Sequence, residues 1–123
     1  MNTVAEWVKQ AKSEIENLSP DQVEQELASG QAILVDVRDA EERVVGTIPS
    51  ALHITRGTLE FAADPGSPVY RSELQPNTRT ILHYAGGARS ALAVKTLQAL
   101  GYRNVAHLEG GFKAWVEANK PVL

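Results

Sequence analysis

Four short apolar runs punctuate the chain, at Ala32-Ile33-Leu34-Val35, Ala51-Leu52-His53-Ile54, Thr80-Ile81-Leu82-His83 and Val105-Ala106-His107-Leu108. The first is continuous and partly β-branched. A strand covered on both faces has no reason to alternate apolar with polar residues, so this pattern predicts strands inside a parallel sheet. Each run is followed by polar or glycine-containing residues and then by a possible helix. Residues 90–100 form one, with Lys95 and Gln98 on a narrow wet side and Gly101 as the C-cap. Residues 111–119 form another, carrying Phe112, Trp115 and Val116. Alternating strands and helices with two-sided burial predict an α/β domain with a largely parallel central β-sheet flanked by α-helices.

Upstream, Ser19 caps, Pro20 suits the first helical position, Gln22 completes a capping box and Leu18 staples onto Val23. That helix runs to about Leu27 and stops at Ser29-Gly30. Before it, Val4, Trp7, Val8, Ala11, Ile15 and Leu18 recur at helical spacing, which predicts an opening amphipathic helix through residue 18, packed on the domain. Residues 63–77, with Pro65, Gly66, Pro68 and Pro76, read as a long connection, since neither flank is large enough to stand alone.

A chain of 123 residues fits a single core. Twelve basic against fifteen acidic side chains, without a basic run, give no footprint for nucleic acid or an anionic membrane. The apolar runs fall short of a bilayer span and the N-terminus lacks the pattern of a signal peptide, so a cytoplasmic protein is expected. No motif calls for a metal or cofactor. The chain contains no cysteine, which excludes disulfides, thiolate metal sites and thiol nucleophiles.

Open parallel sheets bind ligands at the carboxyl ends of their strands, which directs attention to the residues after Val35, Ile54, His83 and Leu108. The segment Tyr84-Ala85-Gly86-Gly87-Ala88-Arg89-Ser90 joins a buried strand to a buried helix. Glycines let backbone N–H groups converge and the helix N-terminus adds positive potential, so the loop suits a small anion, with Arg89 as a fixed charge beside it. The same turn also reads as a tight connection, with Arg89 paired to Asp36 or Asp39.

Residues 33–38, Glu41 or Glu42, and Gly46-Thr47-Ile48-Pro49-Ser50-Ala51-Leu52-His53-Ile54 resemble the opening signature of rhodanese-like domains. Residues 56–65 resemble the segment that follows in many bacterial single-domain members. The loop at 84–90 and the closing residues 108–115 complete the likeness, which covers roughly Ser19 to the C-terminus. A domain at 19–123 preceded by a helix at 1–18 follows. Thr47 and Ser50 depart from the family's usual histidine and glycine, as small structural changes.

The resemblance implies sulfur transfer from a donor such as thiosulfate, with the sulfur carried as a persulfide on a cysteine at the first loop position. Tyr84 stands at that position. A phenol with a pKa of about 10 stays protonated at neutral pH and cannot carry a persulfide. The chain is therefore expected to be inactive in sulfur transfer, with Ala85, Gly86, Gly87, Ala88, Arg89 and Ser90 still binding a thiosulfate- or persulfide-like anion, or a protein partner. Tyr84 and Arg89 bracket four residues, the shorter loop that the resemblance assigns to sulfur-transferring rather than phosphatase relatives. The alternatives are an active sulfurtransferase whose cysteine has been substituted, and a scaffold domain that interacts with other proteins.

Asp36, with Arg38, is expected to support the loop by accepting hydrogen bonds from Arg89 or Ser90. Glu41 or Glu42 pairs with Arg38 or Arg43. Arg56 either draws an anion to the rim or pairs with Glu60 at helical spacing. His53, His83 and His107 are expected to be structural imidazoles bonded to backbone, with His83 on the strand face opposite Tyr84.

Overall fold

The computed structural model describes residues 3–123. The first half contains helix α1 (Val4–Ser13), strand β1 (Glu16–Leu18), α2 (Pro20–Ala28), β2 (Ala32–Asp36), a 3-10 turn (Ala40–Val45) and β3 (Leu52–His53). A second 3-10 turn (Arg56–Thr58) and α3 (Leu59–Ala62) lead to β4 (Arg79–His83), α4 (Ala88–Ala99), β5 (Val105–Leu108) and α5 (Gly111–Glu117). The sheet has five strands in the order β1-β5-β4-β2-β3, and every pair is parallel.

The apolar runs do not alternate because both faces of the sheet are covered. Val35 and Leu82 point toward Leu59, Ala93, Val94 and Leu97 on α3 and α4. Their neighbours Leu34 and Ile81 point the other way, toward Val23 of α2 and Phe112 and Trp115 of α5. Each β2 and β4 residue thus serves one layer or the other. The long connection is pinned by Tyr102, whose hydroxyl donates to the carbonyls of Ala63 (2.8 Å) and Leu74 (3.2 Å).

The N-terminal region differs from the expectation of one helix through residue 18. Helix α1 ends at Ser13, and the Asn17 side-chain amide donates to the carbonyls of Lys12 (2.8 Å) and Ile15 (3.1 Å). Glu16–Leu18 then becomes an edge strand registered against Ala106, His107 and Leu108. Only Leu18 of this strand is buried, so no apolar run marks it. The outer residues of α1 are also wetter than an amphipathic stripe implies, with Val4 68% and Trp7 57% exposed. The second apolar run contributes only Leu52 and His53 to the sheet.

The register pairs Asp36 with His83, so the exits of β2 and β4 lie side by side. β3 lies on one side of β2 and β4 on the other, which makes these exits a switch point of the strand order.

Candidate active-site loop

Between β4 and α4 the chain turns through Tyr84, Ala85, Gly86 and Gly87, with Gly87 as an N-cap that carries no side-chain bond. Three of the turn's four carbonyls are engaged. Tyr84 accepts from the Phe112 N–H (2.8 Å), Ala85 from Lys113 (3.1 Å) and Gly87 from Ala91 (3.3 Å). The N–H groups of residues 85–90 donate to no acceptor among the described residues. This stretch of unpaired donors lies at the positive end of α4.

The start of α5 holds the loop by close approach. Gly111 has φ +63°, and a Cβ there would lie 2.8 Å from the Ala85 carbonyl carbon and closer still to the Gly86 and Tyr84 oxygens. Only glycine permits this docking. Sequence reasoning left Gly111, Phe112 and Lys113 out of the site, although the Gly110-Gly111 pair was a visible sign of close backbone approach.

The Tyr84 ring is half-buried against the layer built from Val35, Leu59 and Ala93, and the Arg89 guanidinium sits 4.6 Å above it. Burial pushes the phenol above its ordinary value, Glu42 and Asp39 push the same way, and Arg89 opposes them. The hydroxyl is therefore a poorer nucleophile than a free tyrosine. Arg89 is exposed and makes no ion pair with Asp36 or Asp39 among the described residues.

Asp36 does not reach Arg89 or Ser90. Its carboxylate is filled by the guanidinium two residues on, with Arg38 Nε 2.9 Å from Oδ1 and Nη2 2.8 Å from Oδ2, and with Arg43 Nε at 3.2 Å. A planar fork this close saturates the acid locally. Arg38 also donates to the carbonyls of Gly46 (2.9 Å) and Glu42 (3.3 Å) and lies 4.3 Å over the Phe112 ring. Burial alone pushes the Asp36 carboxyl up, but the Arg38 bonds and the neighbouring His83 hold it below its usual value. Arg38 and Arg43 take their partners from Asp36 and backbone, whereas the Glu42 carboxylate accepts from the Asp39 N–H (3.1 Å). The expected pairing of a glutamate with either arginine is not made.

The histidines occupy three separate environments. His53 Nε2 donates to the Arg38 carbonyl at 2.7 Å, a backbone bond as expected. His83 is fully buried, with Nδ1 donating to the Tyr84 carbonyl (3.4 Å), a backbone bond as expected, and with Nε2 3.7 Å from Asp36 Oδ2 and itself without a hydrogen-bond partner, and burial pushes the ring down to about 4. His83 stacks toward Phe112 (6.5 Å between centroids) while Tyr84 faces the opposite layer. His107 bonds to side chains rather than backbone. The Asn17 amide is oriented by its two carbonyl acceptors, so Oδ1 must accept from His107 Nε2 (2.7 Å), and Nδ1 then accepts from the Ser90 hydroxyl (2.9 Å). Burial drives His107 down to about 4, which keeps this tautomer neutral. Ser90 thus braces the first turn of α4 against β5. Arg56 is taken up by Glu60 and Thr96, each at 3.0 Å, as the helical-spacing alternative required.

The rhodanese-like domain profile matches residues 19–118, most of the chain. The chain belongs to the rhodanese-like domain family. This rhodanese-like domain is 34% identical over 97 residues to a human thiosulfate:glutathione sulfurtransferase, covering 74% of this chain and 84% of that one. It is 28% identical over 110 residues to a sulfurtransferase of Allochromatium vinosum, covering 89% and 95%. Among solved structures, a protein of unknown function from Rhodopseudomonas palustris, described as a possible tyrosine phosphatase, superposes with TM-score 0.94 at 39% identity, covering 100% of this chain and 96% of that one. A human single-domain sulfurtransferase superposes at 0.73 with 29% identity over 82% and 95%. In this rhodanese-like domain Tyr84 stands where the family's cysteine is expected, and the whole chain lacks cysteine.

Proposed function

We propose that this rhodanese-like domain does not transfer sulfur and instead binds a small sulfur anion, of the thiosulfate or persulfide type, at the loop of residues 84–90. The observation that carries the reading is the loop itself: unpaired N–H groups from Ala85 to Ser90 around a first residue that is a phenol and not a thiol. Backbone amides at a helix N-terminus recognise negative charge whatever side chain begins the turn. Sulfur transfer asks more of that side chain. A thiolate must attack the outer sulfur of thiosulfate, form a sulfur-sulfur bond and release sulfite, and then yield the sulfur to an acceptor such as cyanide. With its phenol held protonated by burial and by Glu42 and Asp39, Tyr84 supplies neither the nucleophile nor the carrier. A phosphatase reading meets the same missing thiol. The names of the sulfurtransferase relatives make thiosulfate the first anion to test.

The test pairs the protein with its Tyr84→Cys variant. The parent is expected to bind thiosulfate without producing thiocyanate from thiosulfate and cyanide, and the variant to produce it. Thiocyanate from the parent above a protein-free blank overturns the inactivity. Failure of the folded parent to bind thiosulfate at millimolar concentration overturns the anion reading.

A further inference from the structure

A groove of about 500 Å³ runs between α1 and the first turn of α4, lined by Val4, Ala5, Val8, Lys9, Lys12 and Ala88. It is larger than three further surface hollows, of about 260, 260 and 310 Å³, and lies within the size range of small-molecule sites. All of its lining residues except Ala88 belong to α1, which precedes residues 19–118, the part matched by the family. Val4, Ala5, Val8, Lys9 and Lys12 are spaced along one side of the helix, while Ala11 turns into the core.

The lining favours one class of occupant. The lining is apolar aliphatic side chain, largely exposed at Val4, Ala5 and Ala88, which offers an inorganic anion nothing and an apolar body a surface to cover. The polar groups at its edge are both ammonium groups. Lys12 is spoken for, with Nζ 2.6 Å from Glu109 Oε1, and this pair is pressed against Gly87. Lys9 is exposed and has no carboxylate within 4.0 Å among the described residues. An apolar lining beside one uncompensated cation complements a monoanion with an apolar body.

We infer that the groove between α1 and Ala88 binds a small organic acid, a carboxylate or sulfonate with an aromatic or aliphatic body, whose body lies on Val4, Ala5, Val8 and Ala88 and whose charge meets Lys9. This goes beyond the loop reading and does not depend on it. A ligand in the groove touches Ala88, the residue shared with the loop.

Two sulfonates that share a head group and charge isolate the contribution of the groove. Amide chemical-shift titration of the full chain with 2-naphthalenesulfonate and with methanesulfonate is expected to show at least about tenfold tighter binding of the former, the margin that burying about 60 Å² of apolar surface supplies. The shifts should centre on residues 4–12 and 88. Val8→Glu and Lys9→Glu, both changes at positions outside the core, should each weaken 2-naphthalenesulfonate at least fivefold and leave thiosulfate binding unchanged. Equal affinities for the two sulfonates, shifts centred elsewhere, or Val8→Glu and Lys9→Glu variants that bind 2-naphthalenesulfonate as the parent does would each overturn the inference. The thiosulfate titration on the same samples reads the loop separately, so failure of one reading is not mistaken for failure of the other.

Discussion

The exits of β2 and β4 lie next to each other, yet they treat polar groups in opposite ways. At the β2 exit the buried charges answer one another: Asp36 is gripped by Arg38 and Arg43, and the remaining Arg38 donors reach the Gly46 and Glu42 carbonyls. At the β4 exit the loop amides have no acceptor among the described residues and the Arg89 guanidinium rests on a ring. Buried and paired groups of the first kind hold a structure together, because leaving any one of them unpaired is costly. Unpaired groups of the second kind, which from Ala85 to Arg89 lie on half-buried or exposed residues, contribute little to folding and are available to a ligand. Two turns with similar sequence character, each mixing charge and short side chains after an apolar run, are thereby assigned different work.

The largest effect should come from breaking the closed exit. Asp36→Ala leaves the buried Arg38 guanidinium without its acid and is expected to cost about 3–5 kcal/mol in urea unfolding. A loss below about 1 kcal/mol would mean that the two exits are not energetically distinct.

An intermediate effect should come from acid. Burial sets both His83 and His107 at about 4 in the folded chain, below the ordinary value of 6.5. As pH falls through about 6.5 the unfolded chain takes up protons first, so stability is full above that pH and declines toward about 4, where the folded protein protonates as well. The decline should amount to about 1 kcal/mol per pH unit for each histidine. His107→Gln, which cannot titrate, should flatten the slope of unfolding free energy between pH 6.5 and 4 by that amount. An unchanged slope would remove His107 from the buried, neutral set.

The smallest effect on folding should come from the open exit. Arg89→Ala removes an exposed cation from the Tyr84 face and is expected to change stability by less than about 1 kcal/mol. Its consequence should appear in thiosulfate affinity, which calorimetry is expected to show weakened several-fold. A large stability loss with unchanged thiosulfate binding would reverse the comparison and make Arg89 a structural residue.

How far the sequence could be read depended on whether a signal was local. The runs at Leu34-Val35 and Ile81-Leu82 announced two-sided strands because neighbouring residues must serve opposite layers, and the structure bears this out. Ser19, Pro20 and Gln22 announced the start of α2, where the reciprocal capping bonds are present. The loop was legible from Gly86, Gly87 and Arg89. β1 was not, since Glu16 and Asn17 become strand only by pairing with β5, some ninety residues along the chain. Nor were the partners of Asp36, Ser90 and His107 legible, because a carboxylate or hydroxyl at a strand or helix end has several acceptable partners in sequence and only one within reach once the layers are packed.

The sequence by itself determined the layered α/β architecture, the site of the loop and the absence of a thiol, because apolar periodicity, capping residues and residue identity are properties of short segments. Tertiary structure alone decided which charges were spent. It gave Asp36 to Arg38 rather than to Arg89, pressed Gly111 against the loop carbonyls, and left the amides of residues 85–90 unpaired. Short-range contacts between polar groups are set by distances that arise only when segments far apart in the chain are brought together.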